Sequence, residues 1–224
     1  MVVIDVLNDA GGRELLLNKY GLRKVPVLAK GDQYAFGQML DPFAKFAGLP
    51  MPGADGLSPE QLYKKYEMVF AAAQRFARQF PPERLGERVI PHRERVIRTL
   101  CYHVFRIGEA FLETWDGAEY SVKIADNEPP ASIQTGDDIA RYGASVWKRY
   151  VTWWSGLEDR TLSRTLKTYY GDTIAHKVFE RVTWHSAQHC RQLVAVLERM
   201  GIKADRPLTA EDLAGLPLPE RLWE

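Results

Sequence analysis

From residue 58 onward, apolar residues return at alternating steps of four and three, the spacing of a helix that buries one face. Leu62, Tyr66, Val69, Ala73, Phe76 and Phe80 form the first such stripe. Ser58, Pro59 and Gln61 stand just before it as cap, first-turn proline and capping-box glutamine, and they predict where the helix starts. A second helix is expected after Pro91, with Ile97, Leu100, Val104, Ile107 and Phe111 on its apolar side. A third starts near Thr135 and places Ile139, Tyr142, Val146, Tyr150, Trp153 and Leu157 on one face. A fourth runs from about Asp172 to Met200, is closed by Gly201, and turns Ile174, Val178, Val182 and Val196 inward. The pattern predicts a mainly α fold, a four-helix bundle over 58–202 with a tail at 203–224 that packs on it. The stretch 115–135 is too long for a tight turn, so at least one crossover is long.

Before residue 50 the pattern is different. Val2–Val6 is a short β-branched run, Gly12–Tyr20 reads as a helix closed by Gly21, and Val25–Lys30 and Gln33–Phe36 read as two strands joined by Gly31 and Asp32. Residues 1–49 therefore form a small α/β unit. The stretch LPMPGADGL, residues 49–57, holds two prolines and two glycines, which makes 50–57 a linker. Thirty basic and 29 acidic residues nearly cancel, leaving no field to hold nucleic acid or an anionic membrane. Cys101 and Cys190 are too few for a disulfide framework and sit in no Cys-x-x-Cys pair, so reduced thiols and a cytoplasmic setting are expected. No apolar run approaches the roughly 20 residues of a membrane span.

The chemistry concentrates in WHSAQHCRQL, residues 184–193. His185 and His189 continue the stripe of Val178 and Val182, and a spacing of four stacks them on one face. A metal site needs at least a third ligand. His103, which shares a face with Val96, Leu100 and Ile107 on the second helix, is the candidate. From the residues alone, satisfied core histidines and a divalent-metal site, zinc or nickel, both stay open. His92 and His176 lie off this line. Arg181, Gln192 and Arg106 stand within a turn of the histidines, where a guanidinium or amide would suit an anionic or thiolate-bearing substrate; each also reads as a flank residue. The cysteines, and the aromatic set Trp147, Trp153, Trp154, Tyr169 and Tyr170, read as core.

The stretches YYGDTIAHKVFERVTWHSAQHCRQLVAVLERMGI and RPLTAEDLAGLPLPERLW resemble the C-terminal part of the DinB-like (YfiT-like) superfamily of metal-binding four-helix bundles, a resemblance that covers roughly 57–224. It implies that the H-x-x-x-H pair of the last bundle helix maps onto His185 and His189, and the third histidine onto His103. The assigned activities of that superfamily, mycothiol-dependent maleylpyruvate isomerase and bacillithiol transferases, are thiol-dependent. A metal-dependent transferase or isomerase acting on a small molecule through a low-molecular-weight thiol is therefore the first expectation, and a homodimer goes with it. The alternatives are a zinc hydrolase using metal-bound water, for which the sequence offers no evident base and only Glu109 and Asp172 as weak candidates, and a non-enzymatic metal-binding or stress-response module. IDVLNDAGGRELLLNKYGLRKVPVLAKGDQYAFGQ is similar to the later part of a glutaredoxin. The resemblance implies a partial thioredoxin-like unit, lacking the Cys-x-x-Cys half, with Val25 and Pro26 at the cis-proline position where glutaredoxins contact a thiol peptide.

Overall fold

The computed structural model describes residues 2–6, 9–22, 25–36, 40–48, 56–90 and 94–223, and it is mainly helical with a small two-stranded sheet near the N-terminus. Two units separate along the chain, Met1–Gly56 and Leu57–Glu224.

In the first unit, α1 (Ala10–Tyr20) starts where the Asp9 carboxylate accepts the Gly12 N–H at 3.0 Å. It ends at Gly21, whose φ of 67° lets its N–H reach back to Leu17 O. The strands β1 (Val27–Lys30) and β2 (Gln33–Phe36) pair antiparallel with Lys30 opposite Gln33, and the Tyr20 hydroxyl donates to Gly31 O at 2.7 Å across their turn. The Val25–Pro26 peptide is cis, in the position the sequence assigned it, and β1 begins just after it rather than at Val25. The β-branched run Val2–Val6 forms no strand, since β propensity needs a partner edge and among the described residues none pairs with it; Val2 and Val3 stand exposed. A short helix not anticipated, α2 (Leu40–Ala47), follows the hairpin. Residues 50–55 of the expected linker lie outside the described residues.

The second unit is organised by four long helices. In α3 (Pro59–Gln79), Ser58 and Gln61 close a reciprocal capping box, as their spacing predicts. Next come α4 (Ile97–Trp115), the short α5 (Val122–Ala125) and α6 (Gly136–Ser155). After them β3 (Thr165–Leu166), β4 (Thr173–Ile174), α7 (Ala175–Arg199) and the single turn α8 (Ala210–Leu213) complete the unit. Helices α3 and α4 each pack against both α6 and α7. Between them lies an aromatic core with Tyr66, Phe70, Phe76, Phe105, Phe111, Tyr150 and Phe179 all fully buried. Rings this large bury a large apolar area each, and the aliphatic side chains Leu62, Leu100, Ile107, Ile139, Val182 and Leu193 pack with them in one core. At Gly136 a Cβ would sit 1.9 Å from Ala77 O, so α6 meets the end of α3 backbone to backbone.

Two helix starts differ from the sequence expectation. Pro91, the expected entry to the second helix, lies outside the described residues, and α4 itself begins at Ile97. Its first amides bond to the preceding segment, Ile97 N to Glu87 O and Arg98 N to Leu85 O, so no side-chain cap is needed. The fourth helix begins at Ala175 rather than Asp172 because Thr173 and Ile174 pair with Leu166 and Thr165. Ile174 is accordingly 45% exposed and not part of the core. Leu157 falls beyond the end of α6. The tail crosses α3, where Gln79, Arg75 and Lys65 donate to the carbonyls of Lys203, Asp205, Arg206 and Asp212, and then returns to α7. Among the described residues no helix is long and apolar enough to cross a membrane.

Candidate metal centre

His185 and His189 project from neighbouring turns of α7, and His103 meets them from α4. Their ring centroids are 4.6 Å (185–189), 5.1 Å (103–189) and 5.6 Å (103–185) apart. Each ring offers a nitrogen, and these three nitrogens lie within 4.8 Å of one another. With Zn–N distances of about 2.1 Å, nitrogens on a closed tetrahedral shell would be about 3.4 Å apart, so small side-chain adjustments bring the set onto one ion. The group could therefore hold a metal ion. Among the described residues no carboxylate or thiol joins it.

The hydrogen bonds point the same way. His189 Nδ1 faces Gln192 Oε1 at 2.7 Å, while its Nε2 is buried with no partner. An unpaired buried ring nitrogen costs about 1–3 kcal/mol, which a bound cation would recover. His103 Nδ1 is also buried without a hydrogen bond; the nearest acid is Asp126, whose Oδ1 is 3.6 Å away and accepts from Arg95 at 2.8 Å. Asp126 is half-exposed at the end of α5. It escaped the sequence reading because only the path of the crossover brings it to the α4 histidine.

The site keeps its imidazoles neutral. Burial is the main cause at each ring. It pushes His189 down to about 4, against the opposing hydrogen bond to Gln192 and with help from the Arg95 charge. His103 and His185 are pushed well below the usual histidine range by burial and then by the charge of His189. Neutral imidazole is the metal-binding form, so a depressed pKa keeps ligands available where free histidine is partly protonated.

No protein-family model matches this chain, and no curated protein matches it in sequence. What the site can do follows from its own geometry.

The other residues singled out in the sequence take different places. Arg181 is buried one turn before His185, with its guanidinium over the rings of Tyr170 and Trp184, 5.6 and 5.7 Å from their centroids, and 3.5 Å from the Tyr169 hydroxyl. Its charge helps to lower the His185 pKa, so it belongs to the surroundings of the triad. Arg106 is buried too, but its donors go to Glu113, in a two-pronged pair at 2.9 and 2.7 Å, and to Glu109 at 2.9 Å. Glu109 also accepts from Tyr142 and Arg149, which places it in this ion network and not beside the histidines. Gln192 has both ends of its amide engaged, by His189 and by Leu222 O. Val25 and Pro26 lie in the first unit, Val25 half-exposed. Cys101 and Cys190 are fully buried core side chains, their thiols pushed up by burial. His176 bonds to Leu57 O at 2.9 Å, and His92 lies outside the described residues.

Proposed function

We propose that residues 57–224 form a DinB-like four-helix bundle that binds one divalent metal ion, zinc or nickel, through His103, His185 and His189. The observation that carries this reading is the convergence of three neutral imidazoles from two helices, one of them with a buried, partnerless Nε2 and none with a fourth protein ligand among the described residues. Three imidazoles suit zinc and nickel alike, and availability decides between them. Three ligands also leave a position for an exogenous group, as catalytic sites do and structural ones do not. When bound, the ion would act as a Lewis acid that favours the thiolate form of an incoming thiol.

We infer from this that the protein is a metal-dependent enzyme acting on a small molecule through a low-molecular-weight thiol, by transfer or isomerisation. The chain's own residues divide the task. The three histidines stay uncharged and add no positive repulsion of their own. Arg181, held by aromatic rings one turn away, supplies a cation for a carboxylate of the thiol or substrate. The first unit is read as the later half of a glutaredoxin-like fold, with no cysteine before residue 101 for disulfide exchange.

The test is metal analysis of the purified protein followed by cobalt substitution and titration with glutathione, bacillithiol, mycothiol and simple thiols. A thiolate-to-cobalt band in the near ultraviolet is expected, and it should weaken for carboxylate-bearing thiols in Arg181→Gln. Full metal occupancy in a His185→Ala, His189→Ala double variant would overturn the ligand set. An unchanged cobalt spectrum with every thiol would overturn the thiol reading and turn attention to hydrolysis or to a structural metal.

A further inference from the structure

Gln192 follows His189 by three residues on α7, and its amide links two parts of the chain. Its Nε2 donates to Leu222 O at 2.9 Å, and its Oε1 lies 2.7 Å from His189 Nδ1. A backbone carbonyl can only accept, so Leu222 settles which end of the amide is nitrogen; turned over, the amide would set two oxygens against each other. With oxygen toward the ring, the proton must sit on His189 Nδ1. The other nitrogen, Nε2, then carries a bare lone pair, and it is the one left buried without a partner.

The segment that provides Leu222 is itself held by α7. Gln188 Nε2 donates to Arg221 O at 3.1 Å and Leu222 O at 2.9 Å, and Arg191 Nη1 donates to Pro219 O at 2.8 Å and Gln188 Oε1 at 2.7 Å. Three side chains from the turn that carries His189 thus grip one short stretch of the tail. Trp223, at its end, packs against the core.

We propose that Gln192 is the positioning residue of the histidine site and that the C-terminal segment Pro219–Trp223 is its outer layer. Leu222 O orients the amide, the amide selects the His189 tautomer, and the tautomer presents Nε2 to the ion. This rests on the metal reading above and adds a coupling to it: whatever factor tail docking contributes to metal affinity, metal binding returns to tail docking.

The experiment uses the full-length chain in two arms. In the metal-free protein, long-range proton–nitrogen NMR of the imidazoles should show His189 protonated on Nδ1, shifting toward the Nε2 form in Gln192→Leu; an Nε2-protonated wild-type ring would overturn the relay. In the second arm, zinc and cobalt affinities are measured by chelator competition. Outer-layer partners of metal-bound histidine are worth about 10- to 100-fold in affinity, and Gln192→Leu should lose that much. Gln192→Glu still accepts from Nδ1–H and should restore affinity to within about threefold, although its carboxylate faces Leu222 O and should expose the tail to hydrogen exchange. Removing residues 219–224 should weaken binding as Gln192→Leu does, and should add nothing in the Gln192→Leu background. Binding by Gln192→Leu within about twofold of wild type, or additive losses, would overturn the proposal. A wild-type protein that takes up no metal would end the metal reading instead, while the tautomer arm still decides the relay.

Discussion

Lowering the pH on the metal-free protein should destabilise it through the histidine triad, before the carboxylates that hydrogen bonds hold low respond. The His189 pKa falls from about 6.5 in an unfolded chain to about 4 in the fold, chiefly because the ring is buried. Below about pH 6.5 the unfolded chain therefore binds a proton that the folded chain does not, and each such proton pulls the equilibrium toward unfolding. The loss stops growing near pH 4, where folded His189 takes up its own proton. For this one ring the loss reaches about 2 kcal/mol at about pH 5 and about 3 kcal/mol in full. His103 and His185, both shifted in the same direction, add to it. The carboxylates held low by hydrogen bonds, among them Asp138, Asp159 and Glu87, lose their contribution only below about pH 4.5, so the two windows separate. Urea unfolding of apo wild type and His189→Gln, at about pH 7.5 and about pH 5, isolates the effect, because groups common to both proteins cancel. The stability difference between the two should change by about 2 kcal/mol. A difference that stays constant across this range would refute the desolvated triad.

Zinc at about 100 times its dissociation constant should raise stability at neutral pH by about 2.7 kcal/mol, a rise that calorimetry should find missing in the His185→Ala, His189→Ala variant. Gly136→Ala should cost about 3 kcal/mol in urea unfolding, because its Cβ would meet the Ala77 carbonyl at 1.9 Å, backbone that cannot turn aside as a side chain can. Arg106→Ala should cost about 1–3 kcal/mol by removing the two-pronged partner of a Glu113 carboxylate that is 34% exposed and so partly solvated, while metal affinity stays within about twofold, since its donors serve the carboxylates and not the triad. Ser58→Ala should cost about 1 kcal/mol, the ordinary loss for a broken helix cap.

What the sequence made legible is local chemistry. The start of α3 is written in Ser58 and Gln61, and that of α6 in Thr135 and Asp138, because each cap is completed by residues three apart. The starts of α4 and α7 were misplaced for the converse reason. Their first amides bond to Glu87 and Leu85 in one case and to Arg164 and Leu162 in the other, acceptors that a helix-start pattern does not contain. The histidine triad could be read because two of its members lie one turn apart and the third shares an apolar stripe on another helix. Gln192 was singled out for its nearness, yet its partner Leu222 lies 30 positions on, and only the return of the tail discloses what the amide does. Asp126 was beyond reach, since it depends on the course of a crossover with no periodicity to read.

The contrast between self-capped and borrowed helix starts has a kinetic consequence. Helices α3 and α6 hold their first turns with their own side chains and pack on each other, so they are suited to an early nucleus in which most contacts are already formed. Helices α4 and α7 cannot secure their first turns until residues 85–87 and 162–164 have closed on them, and these are the helices that bring the histidines. The ligand set would then assemble on the native side of the barrier. In refolding experiments, Ser58 and Thr135 substitutions should slow folding, changes at the borrowed acceptors should mainly hasten unfolding, and added metal should slow unfolding while leaving the folding rate nearly unchanged.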